Sequence, residues 1–124
     1  MRIPRLLIAG ALLVGTLVLA PAAPASATSS ACASTCNGSA YFDSYGEHLY
    51  VYDNAHDGLA VVVWNKRFDL GGNWYAGWNT SGGGTVRPFN LSMPEGTPFH
   101  YYVCLGSGGV TYWNTCGPVV YDAA

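Results

Sequence analysis

The residues best suited to holding a ligand cluster in Asn73-Trp74-Tyr75-Ala76-Gly77-Trp78-Asn79. Alternate side chains of a β-strand share a face, so Trp74, Ala76 and Trp78 point one way and the two indoles lie about 13 Å apart, the scale of a short oligosaccharide. Indoles stack on the C–H faces of sugar rings, and Asn73 or Asn79 can reach hydroxyls from the edge. The candidate binding residues are therefore Trp74, Tyr75, Trp78 and Asn79. A second arrangement competes with the first. Trp74 and Trp78 fill the interior, where large aliphatics are scarce, and Tyr75 faces out. The composition favours this second arrangement.

Other chemistry-bearing residues are less well placed. The loop Asp53-Asn54-Ala55-His56-Asp57-Gly58 matches the first half of a calcium loop at Asp53, Asp57 and Gly58. Ala55 and Trp64 stand where further ligands belong, the latter in place of a bidentate glutamate, which excludes an EF-hand. Asp53 and Asp57 stay as weak metal candidates. The plainer expectation is a turn whose Asp57-Gly58 takes the positive φ. His48, His56 and His100, with Asp43, Glu47, Asp53 or Glu95, have the groups for acid–base work, but the sequence has neither His-Glu-x-x-His nor Gly-x-Ser-x-Gly. No catalytic residue and no cofactor is assigned, and a non-catalytic role is expected.

The elements that must position these residues are strands. Outside the first 27 residues there is no Gln and there are one Lys, two Glu and five Leu, so helix surfaces have little to be built from, whereas Val, Thr, Tyr and Trp abound. Strands are predicted over 40–45, 48–53, 59–68, 73–79, 85–91, 99–105, 110–114 and 119–122, with glycine-, asparagine- and proline-rich turns between them. Seven or eight short antiparallel strands predict a small β-sandwich, Ig-like or Greek-key. Ala60-Val61-Val62-Val63-Trp64 is apolar on both faces. It reads as a central strand with Val61, Val62, Val63 and Trp64 among the most buried residues.

The chain begins with a positive start (Arg2, Arg5), an apolar run from Leu6 to Ala20 and Ala25-Ser26-Ala27, the pattern of a secretory leader cleaved after Ala27. The apolar run falls short of the roughly 20 residues that span a bilayer. Its removal leaves three basic residues (Lys66, Arg67, Arg87) against seven acidic ones, a net charge of −4 that excludes a nucleic-acid binder. The expected product is extracellular, free of the membrane and monomeric. It comprises an N-terminal segment over 28–39 and one all-β domain over 40–124.

Export places Cys32, Cys36, Cys104 and Cys116 where thiols oxidise, so two disulfides are expected. Short segments meet most often, which favours Cys32 with Cys36 and Cys104 with Cys116. A tight turn at Gly106–Gly109 would carry Cys116 about 15 to 17 Å beyond its partner along the ladder. The second bridge therefore calls for a wide loop, and a tight one would favour a cross-pairing such as Cys32 with Cys116.

Between Asp57 and Pro118 the chain resembles a group of small secreted proteins of actinomycetes. The resemblance rests on Asp57-Gly58 before Ala60-Val61-Val62, on Asn79-Thr80-x-Gly82, on Pro94-Glu95-Gly96-Thr97, and on Tyr102-Val103-Cys104 leading to Trp113-x-x-Cys116-Gly117-Pro118. It implies a compact exported domain and carries over no catalytic residue. Size, export and cysteine count also resemble secreted proteinaceous amylase inhibitors, although the Trp-Arg-Tyr triplet those use is absent here.

Two functions remain in view, with a small hydrolase standing third behind them. One is an extracellular recognition module for a carbohydrate or protein surface. The other is a secreted inhibitor presenting Gly106–Tyr112 from a loop stapled between Cys104 and Cys116.

Overall fold

A computed structural model describes Gly15 and residues 28–124; the leader expected over Met1–Ala27 lies outside the described residues. Nine strands form in chain order: β1 (Thr28–Cys32), β2 (Gly38–Asp43), β3 (His48–Asp53), β4 (Ala60–Arg67), β5 (Trp74–Asn79), β6 (Val86–Asn90), β7 (Pro98–Ser107), β8 (Val110–Tyr112) and β9 (Val120–Ala123). Two short 3-10 turns, Phe68–Leu70 and Trp113–Thr115, follow β4 and β8. The first sheet runs β1-β2-β3-β6. The second runs β5-β4-β7-β8, with β9 also on β7. All pairings are antiparallel. The chain crosses between sheets after β3, β5 and β6, which interleaves the β3–β6 and β4–β7 pairs as in Greek-key sandwiches.

Eight of these strands match the predicted ones within about two residues. β1 was not expected: Thr-Ser-Ser-Ala-Cys has no apolar alternation to announce a strand. It forms because β2 offers a free edge, and the 28–39 segment is thereby built into the first sheet.

Alternation sorts the two faces of each sheet. Phe42, Leu49 and Val51 of the first sheet meet Val61, Val63, Phe99, Tyr101, Val103 and Leu105 of the second, all essentially inaccessible. Phe42 packs 4.6 Å from Phe99, centroid to centroid. Each such side chain contributes about 1.5–3 kcal/mol by leaving water. Along one edge, the Ser29 and Tyr101 hydroxyls share a 2.6 Å hydrogen bond, and Ser29 Oγ also donates to the Asp122 carboxylate, tying β1 to β7 and β9. At the opposite edge Arg67 donates to the Leu91 carbonyl (2.6 Å) and pairs with Asp69 (2.7 Å), holding β4 to the chain that leaves β6.

Val61, Val62 and Val63 are fully buried as expected, but Trp64 is not: it is half-buried on the outer face of the second sheet. The odd-numbered positions of β4 face the core, and Trp64 takes the opposite parity.

Both expected disulfides are present, Cys32–Cys36 and Cys104–Cys116. The second bridge does not need a wide loop. β7 and β8 close through a two-residue turn, with Ser107 opposite Val110 and positive φ at both Gly108 and Gly109, as a type I′ turn requires. The bridge forms nonetheless because the chain leaves the ladder after Tyr112. The 3-10 turn at Trp113–Thr115 bends it back along β7, where Leu105 N–H donates to Thr115 Oγ1 (2.8 Å) and Gly117 N–H to the Val103 carbonyl (3.0 Å).

Candidate functional site

The outward positions of the second sheet follow from its register. Val62, Trp64 and Lys66 of β4 lie between Trp78, Ala76 and Trp74 of β5 on one side and Cys104, Tyr102 and His100 of β7 on the other. Thr111 of β8 and Tyr121 of β9 extend the same face, opposite Gly106 and His100. One sheet face therefore gathers three of the four tryptophans, and the Cys104–Cys116 bridge supplies the fourth. By drawing the 113–116 segment over the sheet it seats Trp113 on Trp64, with ring centroids 5.5 Å apart.

The rings are held at defined angles. Trp64 Nε1–H donates to Thr111 Oγ1 (3.1 Å), which fixes the indole at the centre of the face. Trp74 meets Tyr102 edge to face at 5.1 Å. Trp78 lies against Gly106, where an added Cβ would stand 2.8 Å from the indole, so the absence of a side chain there lets the ring lie down on β7. His100 is clasped edge to face by Phe68 at 4.9 Å and Tyr121 at 4.4 Å. The Lys66 ammonium lies 5.2 Å from the Phe68 centroid and 5.6 Å from that of Trp74. Trp74 is 38% exposed, Trp113 61% and Tyr121 71%. Large apolar rings held this far into water by their neighbours make a surface ready to cover another apolar face.

Burial, helped by the Lys66 charge, holds His100 below the ordinary imidazole range, and burial pushes the Tyr102 phenol up.

The expected site residues are placed as follows. Trp74 and Trp78 lie on this outer face, so the arrangement that put them in the core is overturned. The interior is filled instead by Phe42, Phe99 and Tyr101 with the β-branched residues of β4 and β7. Tyr75 and Asn79 have the opposite parity. Tyr75 is 49% exposed at the rim of the inner face, and Asn79 is fully buried, donating to the carbonyls of Val51 (3.0 Å) and Thr85 (3.2 Å). Asn79 ties the two sheets together and has no surface left for a ligand. Trp64, Lys66, Tyr102 and Trp113 were missed. For Trp64, Lys66 and Tyr102 the cue was the even parity of β4 and β7, which alternation in the sequence did carry; Trp113 lies in a 3-10 turn after β8 and had no such cue.

In the Asp53–Gly58 loop the two carboxylates each close a turn of their own. Asp53 Oδ1 accepts from Ala55 N–H (3.2 Å) and Asp57 Oδ1 from Leu59 N–H (2.9 Å), with Gly58 at φ 72°. Among the described residues no three metal-binding side chains come together. His48 lies on the outer face of the first sheet, His56 in the 54–59 loop and His100 on the second sheet, so the three do not converge. A cavity of about 230 Å³ opens between the sheets beside β5 and β6, walled by Leu49, Val63, Phe89 and Leu91 with Arg67 and Tyr75 at its rim. Its walls are apolar, and Arg67 is already committed to Asp69 and Leu91.

Compared with known proteins, the chain matches no family model, no curated protein and no solved structure.

Proposed function

We propose that this protein is a secreted, non-catalytic recognition module that binds carbohydrate on the outer face of its second sheet. The observation that carries this reading is the gathering of Trp64, Trp74, Trp78, Trp113 and Tyr102 on one face, two of them well exposed. A β-sheet face is nearly flat, and so is a run of pyranose rings. Stacking between them recognises the C–H faces of sugars without requiring a deep pocket. The two disulfides and the expected leader agree with an extracellular setting.

The test is a glycan array probed with the 28–124 chain and with Trp74→Ala. Binding to oligosaccharides that drops about 10-fold or more in the variant supports the reading. No glycan binding, together with capture of a secreted hydrolase in a pull-down, would replace it with the inhibitor reading, in which the hairpin between Cys104 and Cys116 is the presented element.

A further inference from the structure

The aromatic face carries a charge pattern as well as rings, and this extends the carbohydrate reading on which it rests. Three basic side chains belong to the described residues, and two are spent on the fold: Arg67 on Asp69 and the Leu91 carbonyl, Arg87 on the Trp78 carbonyl (2.7 Å) and the Phe89 ring. Lys66 has no carboxylate and no hydrogen-bond acceptor among the described residues. Its stem passes the Gly72 turn, and its ammonium rests among rings, between Phe68 and Trp74. All seven side-chain carboxylates among the described residues lie elsewhere. Asp69 is held by Arg67, Asp122 points inward to Ser29, and Asp43, Glu47, Asp53, Asp57 and Glu95 belong to the first sheet and the loops. Among the described residues, whose side chains carry a net charge of −4, the one unpaired cation thus lies on the face richest in tryptophan and every side-chain carboxylate lies off that face.

We infer that the ligand is an acidic polysaccharide of the uronic-acid type, its rings stacked on the Trp64, Trp74, Trp78 and Trp113 surface and a carboxylate seated on the Lys66 ammonium. Charge density argues for sparse carboxylates over a sulfated chain. A densely charged polymer requires a cluster of cations, and here one ammonium stands among at least six aromatic rings on an otherwise acidic protein. A uronic acid keeps its C–H faces open for stacking and adds a single charge at the ring's edge. An ammonium on a flexible stem can meet it as a point charge.

The experiment compares, by affinity electrophoresis, retention on highly methyl-esterified pectin and on gellan, whose free carboxylates are sparse, with retention on neutral cellulose derivatives and on dextran sulfate. The wild-type 28–124 chain, Lys66→Gln and Lys66→Arg are run side by side. The expected result is at least about 10-fold tighter binding to the carboxylated chains than to the neutral ones, a loss of that preference in Lys66→Gln and its recovery in Lys66→Arg. Wild-type binding should also weaken as salt rises from about 0.01 M to about 1 M, where the screening length shortens from about 30 Å to about 3 Å; this arm does not depend on any variant folding. Equal retention on neutral and carboxylated chains overturns the inference and leaves the stacking platform standing. Preference for dextran sulfate overturns it in favour of a sulfated ligand. Retention on none of these polymers overturns both the inference and the carbohydrate reading beneath it.

Discussion

The outer faces of the two sheets are built on the same alternation and arrive at different chemistry. The first sheet shows water Ser30, Ser39, Tyr41, Asp43, His48, Tyr50 and Tyr52, small hydroxyls and phenols with a carboxylate among them. Tyr41 and Tyr50 stand 6.3 Å apart and His48 stacks on Tyr50 at 6.1 Å, while the Cys32–Cys36 bridge begins on the same face opposite Ser39 and carries no tryptophan onto it. The second sheet shows indoles, one ammonium and a bridge that folds a further tryptophan onto the surface. A phenol at the surface keeps its hydroxyl in water at little cost. A half-exposed indole offers mostly apolar area, which a ligand can cover at a gain. Aromatic content alone therefore does not mark a site. The proposed site differs in the type of ring and in what holds each ring in place.

The largest effect expected from breaking this contrast comes from the bridges. Removing Cys104–Cys116 as the Cys104→Ala, Cys116→Ala double variant should cost about 2–5 kcal/mol, read by chemical denaturation, and should also loosen Trp113 and weaken ligand binding. Removing Cys32–Cys36, which closes a much shorter loop, should cost less and leave binding unchanged.

Next come the rings themselves. Trp74→Ala and Trp113→Ala should each weaken glycan binding by roughly 10- to 30-fold, about 1.4–2 kcal/mol, with stability changed by less than about 1 kcal/mol because both rings are substantially exposed. Tyr41→Ala and Tyr52→Ala on the first sheet should leave binding untouched in the same titration. Equal losses on both faces would erase the distinction.

Two titrations sharpen the comparison. Burial pushes Tyr101 up to about 12, and the Ser29 hydrogen bond opposes that shift in part. A raised phenol favours the neutral form in the fold, so its stabilising contribution is present below pH ~10 and is lost as pH climbs toward ~12, by on the order of 1–2 kcal/mol. Tyr101→Phe should flatten that alkaline slope in denaturation curves. His100 moves the other way. With its folded value depressed, the unfolded chain takes up a proton first, so stability falls as pH drops below about 6.5. This effect is the smallest of the set, and NMR titration of the His100 ring should place its midpoint below that of an unfolded-state histidine.

Most of the architecture was legible in the sequence, because strand identity rests on local pattern. Runs such as His48-Leu49-Tyr50-Val51-Tyr52 and Ala60-Val61-Val62-Val63 declare themselves, and glycine clusters mark the turns. β1 was illegible because its serines take strand form from the β2 edge, a partner that local pattern does not reveal. The site was half legible. Trp74 and Trp78 could be put on one face by counting, but whether that face looked inward depended on which residues filled the core. Phe42, Phe99 and Tyr101, brought together from β2 and β7, decided it. Trp113 could not have been assigned by strand parity. Its position follows from a 3-10 turn and a disulfide, and the expected conflict between that bridge and a tight Gly108–Gly109 turn rested on the chain continuing along the ladder, which it does not do.

The most direct test of the account is a nitrogen-15 correlation spectrum of the 28–124 chain titrated with short galacturonate-containing oligosaccharides, following the four indole N–H signals together with the backbone amides of both sheets. The account predicts that the Trp64, Trp74, Trp78 and Trp113 signals and the amides of β4, β5 and β7 move together along one isotherm, while β2 and β3 stay still. Shifts centred on Tyr41, Tyr50 and Tyr52, or on Leu49 and Phe89 in the cavity between the sheets, would contradict it.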